Sequence, residues 1–90
     1  MTREKLKPVD KEQEISDEPK DLVLFNDEVN TFDFVIETLI EVCGHDHEQA
    51  EQCAMIAHYK GKCTVKSGTL TELKPPYEEM KNRKLTVSIY

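Results

Sequence analysis

No apolar run in this 90-residue chain approaches the roughly 20 residues that a membrane span needs. The N-terminal Met1-Thr2-Arg3-Glu4-Lys5 lacks the apolar core of a secretory signal, so no targeting segment is expected there. Basic charge is also short: the formal net charge is −6. Neutralising phosphates needs a basic patch, so nucleic acid is not an expected partner. An acidic chain suits a cationic partner or plain solubility. The cysteines are three, an odd number, which points to reduced thiols and a cytoplasmic home. Glycine is scarce and scattered, and none of it forms a phosphate-cradling loop. No repeat or low-complexity tract is present.

Cys43-Gly44-His45-Asp46-His47 has the residue types of a metal site. Its spacing matches no standard zinc pattern, and the paired C-x-x-C or H-x₃₋₅-H half is missing. The thiols therefore read as small buried hydrophobes, with no metal and no cofactor expected.

The length gives one domain with a modest core. Residues 1–20 carry eleven charges of both signs, two prolines and only scattered apolar residues. Such a segment cannot bury enough surface to offset its ordering entropy, so it is expected to be a disordered extension to a core at 21–90. Within that core, Asp21 to Asn26 has four consecutive apolar residues and reads as a buried strand. Asn30 then reads as an N-cap, with Asp33 placing negative charge in the first turn of a helix over about 31–43. Phe32, Val35, Ile36, Leu39, Ile40 and Cys43 form its apolar stripe, and Gly44 its stop. Phe34 falls off the stripe, either beneath the preceding strand or as an exposed contact.

A second helix is expected from the capping-box variant Asp46-x-x-Gln49 to about Tyr59, with Gly61 behind it. Its inner face is Ala50, Cys53, Ala54 and Ala57, with His58 at the edge. Small residues there allow close helix packing, or leave room beside the helix for a ligand side chain. Cys63 to Lys66 alternates as a short strand, and Ser67-Gly68 reads as a turn. Pro75-Pro76 limits the last helix to about 75–82, with proline in its first turn. Residues 85–90 alternate as a final strand. The order β-α-α-β-α-β gives an α+β domain with helices packed on one face of a three-stranded antiparallel sheet.

Catalysis has little support. Cys53 or Cys63 with His58 lacks a third, orienting group, so no enzyme is expected. Binding has more. Asn26, Asp27 and Glu28 end a strand and supply acceptors for an ammonium, whose three donors need partners on several sides. A neutral imidazole at His58 accepts one more. Beside a small-residue face, these are expected to seat a terminal amine and the side chain next to it.

Residues 21–62 resemble the ClpS family, adaptors that deliver N-degron substrates to a ClpA-type AAA+ unfoldase of the Clp protease. The resemblance rests on Leu24-Phe25-Asn26-Asp27-Glu28, on Phe34-Val35, on Gln52, and on His58-Tyr59-x-Gly61-Lys62. It implies a fold related to the C-terminal domain of the ribosomal stalk protein. It implies a non-enzymatic adaptor, monomeric alone, that works without a membrane. Its substrates would be proteins beginning with Leu, Phe, Tyr or Trp. Asn26, Asp27, Glu28 and His58 would hold the α-amine. Asn30 would stand at the rim, Phe32 at the gate, and Val35, Ala54 and Ala57 in the lining. The disordered arm would be drawn into the unfoldase during hand-off.

This chain departs from the family in having Glu28 for aspartate, Asn30 for threonine, and Phe32 and Ala54 for methionines. Those departures imply a pocket roomier at depth and narrower at the rim. Beyond Lys62 the resemblance fades. The alternative is a generic interaction module of the same fold with no degron pocket.

Overall fold

A computed structural model describes residues 18–90. The disordered extension expected over 1–20 therefore falls largely outside the described residues. The chain runs β1 (Lys20–Phe25), α1 (Phe32–Cys43), α2 (His47–Lys60), β2 (Lys62–Gly68), α3 (Leu70–Asn82) and β3 (Val87–Ile89). This is the expected order. The sheet is antiparallel throughout, with β1 central in the order β2-β1-β3. No helix of the described residues is long and apolar enough to cross a membrane.

The apolar run of β1 belongs to the central strand. Leu22 and Leu24 face the helices and join Ile36, Leu39, Ala50, Ala54, Ala57, Leu73 and Met80 in one core, closed by Val65, Leu85 and Val87. Phe34 is half-buried against this core, which settles its two sequence readings in favour of packing.

Several boundaries differ from the sequence reading. Thr31, not Asn30, caps α1: its backbone is extended and its Oγ1 accepts the Phe34 N–H at 3.1 Å. The Asn30 amide is engaged elsewhere, as described below. Gly44 and Gly61 do end their helices in the left-handed region. β2 continues through Ser67-Gly68, where a turn is expected from the sequence. The final strand is shorter than 85–90, although Leu85 is still buried.

α3 is the largest correction. It begins at Leu70, and both Pro75 and Pro76 lie inside it. The start is fixed by a full capping box: Glu72 N–H donates to Thr69 Oγ1 at 3.2 Å, and Thr69 N–H donates to Glu72 Oε1 at 2.9 Å. Leu73 and Met80, two turns apart, are both fully buried. That burial and the cap outweigh the two N–H donors the prolines remove.

The sheet carries one irregularity. Leu22 pairs with Lys66 and Val23 with Thr64, so Val65 is the extra residue of a bulge in β2. Its carbonyl is taken by the buried His45, whose Nε2 lies 2.6 Å away. A carbonyl only accepts, so Nε2 carries the proton. The sequence reading places His58 as the histidine nearest the apolar interior. The structure buries His45 instead and leaves His58 exposed. Cys43 is buried against Met80 and His47 is exposed, so the Cys-x-His-x-His stretch does not converge. Among the described residues no three metal-ligating side chains cluster.

Candidate functional site

The site is a cavity of about 530 Å³ enclosed by the end of β1, the 26–30 loop, the first turns of α1, and the C-terminal half of α2. Its position follows from how these segments are tied. The Asn26 N–H donates to the Gly61 carbonyl at 2.9 Å, which fastens the end of the central strand to the cap of α2. The chain then turns through Asp27. Its Oδ1 accepts from the backbone N–H groups of Val29 at 3.0 Å and Asn30 at 2.9 Å, and its Oδ2 from Asn30 Nδ2 at 3.0 Å. Asn30 Nδ2 also donates to the Lys84 carbonyl at 3.0 Å, joining the loop to the approach of β3.

Partial burial tends to raise the Asp27 carboxyl, but the backbone and side-chain bonds from Asn30 and the Val29 N–H prevail and hold it below the ordinary carboxylate value. Asp27 is therefore an anion spent mainly on shaping the loop. Three of its roughly four acceptor positions are filled.

With Thr31 as cap, Phe32 is the first helical residue of α1 and Val35 lies one turn on, on the same side. α2 contributes Ala54, Ala57 and His58, spaced three and four residues apart, and alongside them Met55 and Tyr59. All nine residues singled out from the sequence line this one cavity: Asn26, Asp27, Glu28, Asn30 and His58 among the polar ones, and Phe32, Val35, Ala54 and Ala57 among the apolar ones. Four more, Leu24, Phe25, Met55 and Tyr59, line it unforeseen. Leu24 and Phe25 were hidden in what reads as an ordinary core strand. Met55 and Tyr59 do carry a signal, since they stand one turn apart beside the Ala54–His58 face.

The small residues of α2 allow close packing and also leave room beside the helix. Ala50, Ala54 and Ala57 are buried in the core, and the last two also border open space. Cys53 and Cys63 are half-buried, with both sulfurs near the Thr64 carbonyl.

The polar side of the cavity is short of internal partners. Among the described residues the side chains of Asn26, Glu28 and His58 make no hydrogen bond or ion pair. The His58 ring does meet Tyr59 edge-on, with centroids 4.9 Å apart at 76°. Acceptors without partners at the mouth and an apolar floor of Leu24, Val35, Ala54 and Ala57 can hold an amphipathic cation. Its charged end would sit among the oxygens and its side chain below.

The family model described as ATP-dependent Clp protease adaptor protein ClpS matches residues 16–88. Among solved structures, Agrobacterium tumefaciens ClpS2 bound to L-phenylalaninamide matches with a TM-score of 0.70 and 20% sequence identity. The match covers 83% of this chain and 98% of that one. At that identity the likeness is one of fold.

Proposed function

The chain belongs to the ClpS family of adaptors for the ATP-dependent Clp protease, and we propose that its cavity captures the first residue of proteins destined for that protease. The α-amine sits among Asn26, Glu28 and His58, with the remaining acceptor position of Asp27 beside them. The first side chain descends onto Leu24, Val35, Ala54 and Ala57. Substrates are proteins beginning with Leu, Phe, Tyr or Trp, whose side chains are apolar and large enough to fill such a floor.

The observation that carries this reading is the pairing, in one cavity, of unpartnered acceptors with a buried apolar floor. The ligand of the Agrobacterium ClpS2 structure has the same two ends. L-Phenylalaninamide presents a free α-amine and a benzyl group, with its carboxyl end blocked as in a peptide. In this chain Ala54 leaves space at depth, and Phe32 narrows the entrance.

The captured protein is handed to a ClpA-type AAA+ unfoldase in the cytoplasm. The test is a reconstituted protease with a folded reporter that begins with Phe. Adding the chain should accelerate degradation of that reporter and not of one beginning with Ser. Equal rates with and without the chain would contradict delivery.

A further inference from the structure

α2 presents two different surfaces to the same cavity. Ala54 and Ala57 are each only 4% exposed and form the floor. Met55 and Tyr59 also line the cavity, yet they are 45% and 75% exposed. They are four residues apart and therefore neighbours on one helix face. Phe32, 41% exposed, adds apolar surface from the start of α1. In an acidic chain, large apolar side chains gathered at the mouth of a cavity and bordered by polar ones are the mark of a contact surface.

We propose that the Met55–Tyr59 lip is a second subsite, which reads the side chain of whichever of the two residues following the captured one turns towards α2, and favours an apolar type there. The inference rests on the capture of a first residue proposed above. Once that residue is seated, its successors emerge within about 3.8 Å per Cα step, at the height of the lip. Side chains alternate along an extended peptide, so one of the two successors turns back onto α2. Methionine is a flexible filler that adapts to varied apolar partners, and tyrosine offers a broad apolar face with a wet edge. The occupant is thus continuous with the peptide in the cavity.

Fluorescent free-amine peptides beginning Phe-Leu-Leu and Phe-Ser-Ser, otherwise identical, test this against the full chain and its Met55→Ser/Tyr59→Ser variant. Both replaced side chains are largely exposed, and circular dichroism with a urea midpoint verifies the fold. On the unaltered chain the Leu-Leu peptide should bind about five-fold more tightly, as expected for partial burial of a leucine. On the variant the two affinities should come within about two-fold. Equal affinities on the unaltered chain, with binding of both retained, would overturn the second subsite and leave first-residue capture standing. A preference that survives in the variant would also overturn it. Failure of every free-amine Phe peptide to bind would overturn both.

Discussion

The backbone N–H of Asn26 and the carbonyl of Gly61 meet at 2.9 Å, so the strand that ends in acceptors is fastened to the helix whose last turn carries His58. The two halves of the cavity mouth are held together at that point. Gly61 can serve because its φ is +96°, and a side chain added there would meet open space. The cost of replacing it is therefore one of backbone conformation. Gly61→Ala is expected to lower stability by about 1–2 kcal/mol, measured by urea unfolding, and to weaken binding of a free-amine Phe peptide. Gly44, with φ +74° and equally open surroundings, is the control. Gly44→Ala should lower stability by a similar amount while leaving the folded protein's peptide affinity unchanged.

The Asp27 turn makes a prediction in pH. Its carboxyl is held below the ordinary value of 3.8 because the folded loop donates to the charged form. A lowered folded value means the loop's stabilisation is complete above the ordinary value and is lost as pH falls through the lowered one. In an NMR titration the amide signals of Val29 and Asn30 should therefore hold their positions at pH 4.5 and move only below pH 3.8. Asp27→Ala should cost about 1 kcal/mol, less than three separate bonds suggest, because the partly exposed donors regain water.

His45 supports a different part of the molecule. It is the partner of the Val65 carbonyl at the bulge, and both residues are buried. His45→Ala should lower stability by about 2 kcal/mol through the orphaned carbonyl. His47→Ala, two residues on and exposed, should stay within about 0.5 kcal/mol of the unaltered chain. Urea unfolding of the two variants side by side distinguishes a buried structural role from a surface one.

The Cys43 and Cys63 thiols should be poor nucleophiles. Burial pushes Cys43 up to about 11, and burial together with the neighbouring Cys53 thiol pushes Cys63 up to about 12. At pH 8 both thiols therefore stay almost wholly protonated, and the thiolate is the nucleophile. An aromatic disulfide reagent at pH 8 should modify both slowly, with full reaction only in denaturant. Mass spectrometry of the labelled sites reads the result.

What was legible in the sequence was whatever a local pattern encodes. The buried run of β1, the stripe of α1, and the stops at Gly44 and Gly61 follow from periodicity and backbone chemistry. So does the gathering of acceptors between Asn26 and Asn30. Where two local signals competed, the choice depended on tertiary contacts. Asn30 and Thr31 are both good caps, and Asn30 was withdrawn by its bonds to Asp27 and Lys84. Pro75-Pro76 argues for a late start to α3, whereas the folded chain closes a capping box between Thr69 and Glu72 and starts it early. Burial of Leu73 and Met80 decided for the latter. The Val65 bulge and its histidine had no local signature at all, because register between β1 and β2 is a relation between distant segments. The same holds for Met55 and Tyr59, whose importance appears only once the 26–30 loop is placed opposite α2.

The central claim is that a free α-amine is held at the mouth of the cavity. Fluorescence anisotropy of a labelled peptide beginning with Phe, compared with the same peptide acetylated at its N-terminus, tests it most directly, since acetylation removes the charge and two of the three donors while keeping the side chain. The account expects saturable binding of the free peptide, a loss of at least about a hundred-fold on acetylation, and a weakened free-amine complex in His58→Ala. Equal binding of the free and acetylated peptides would contradict it.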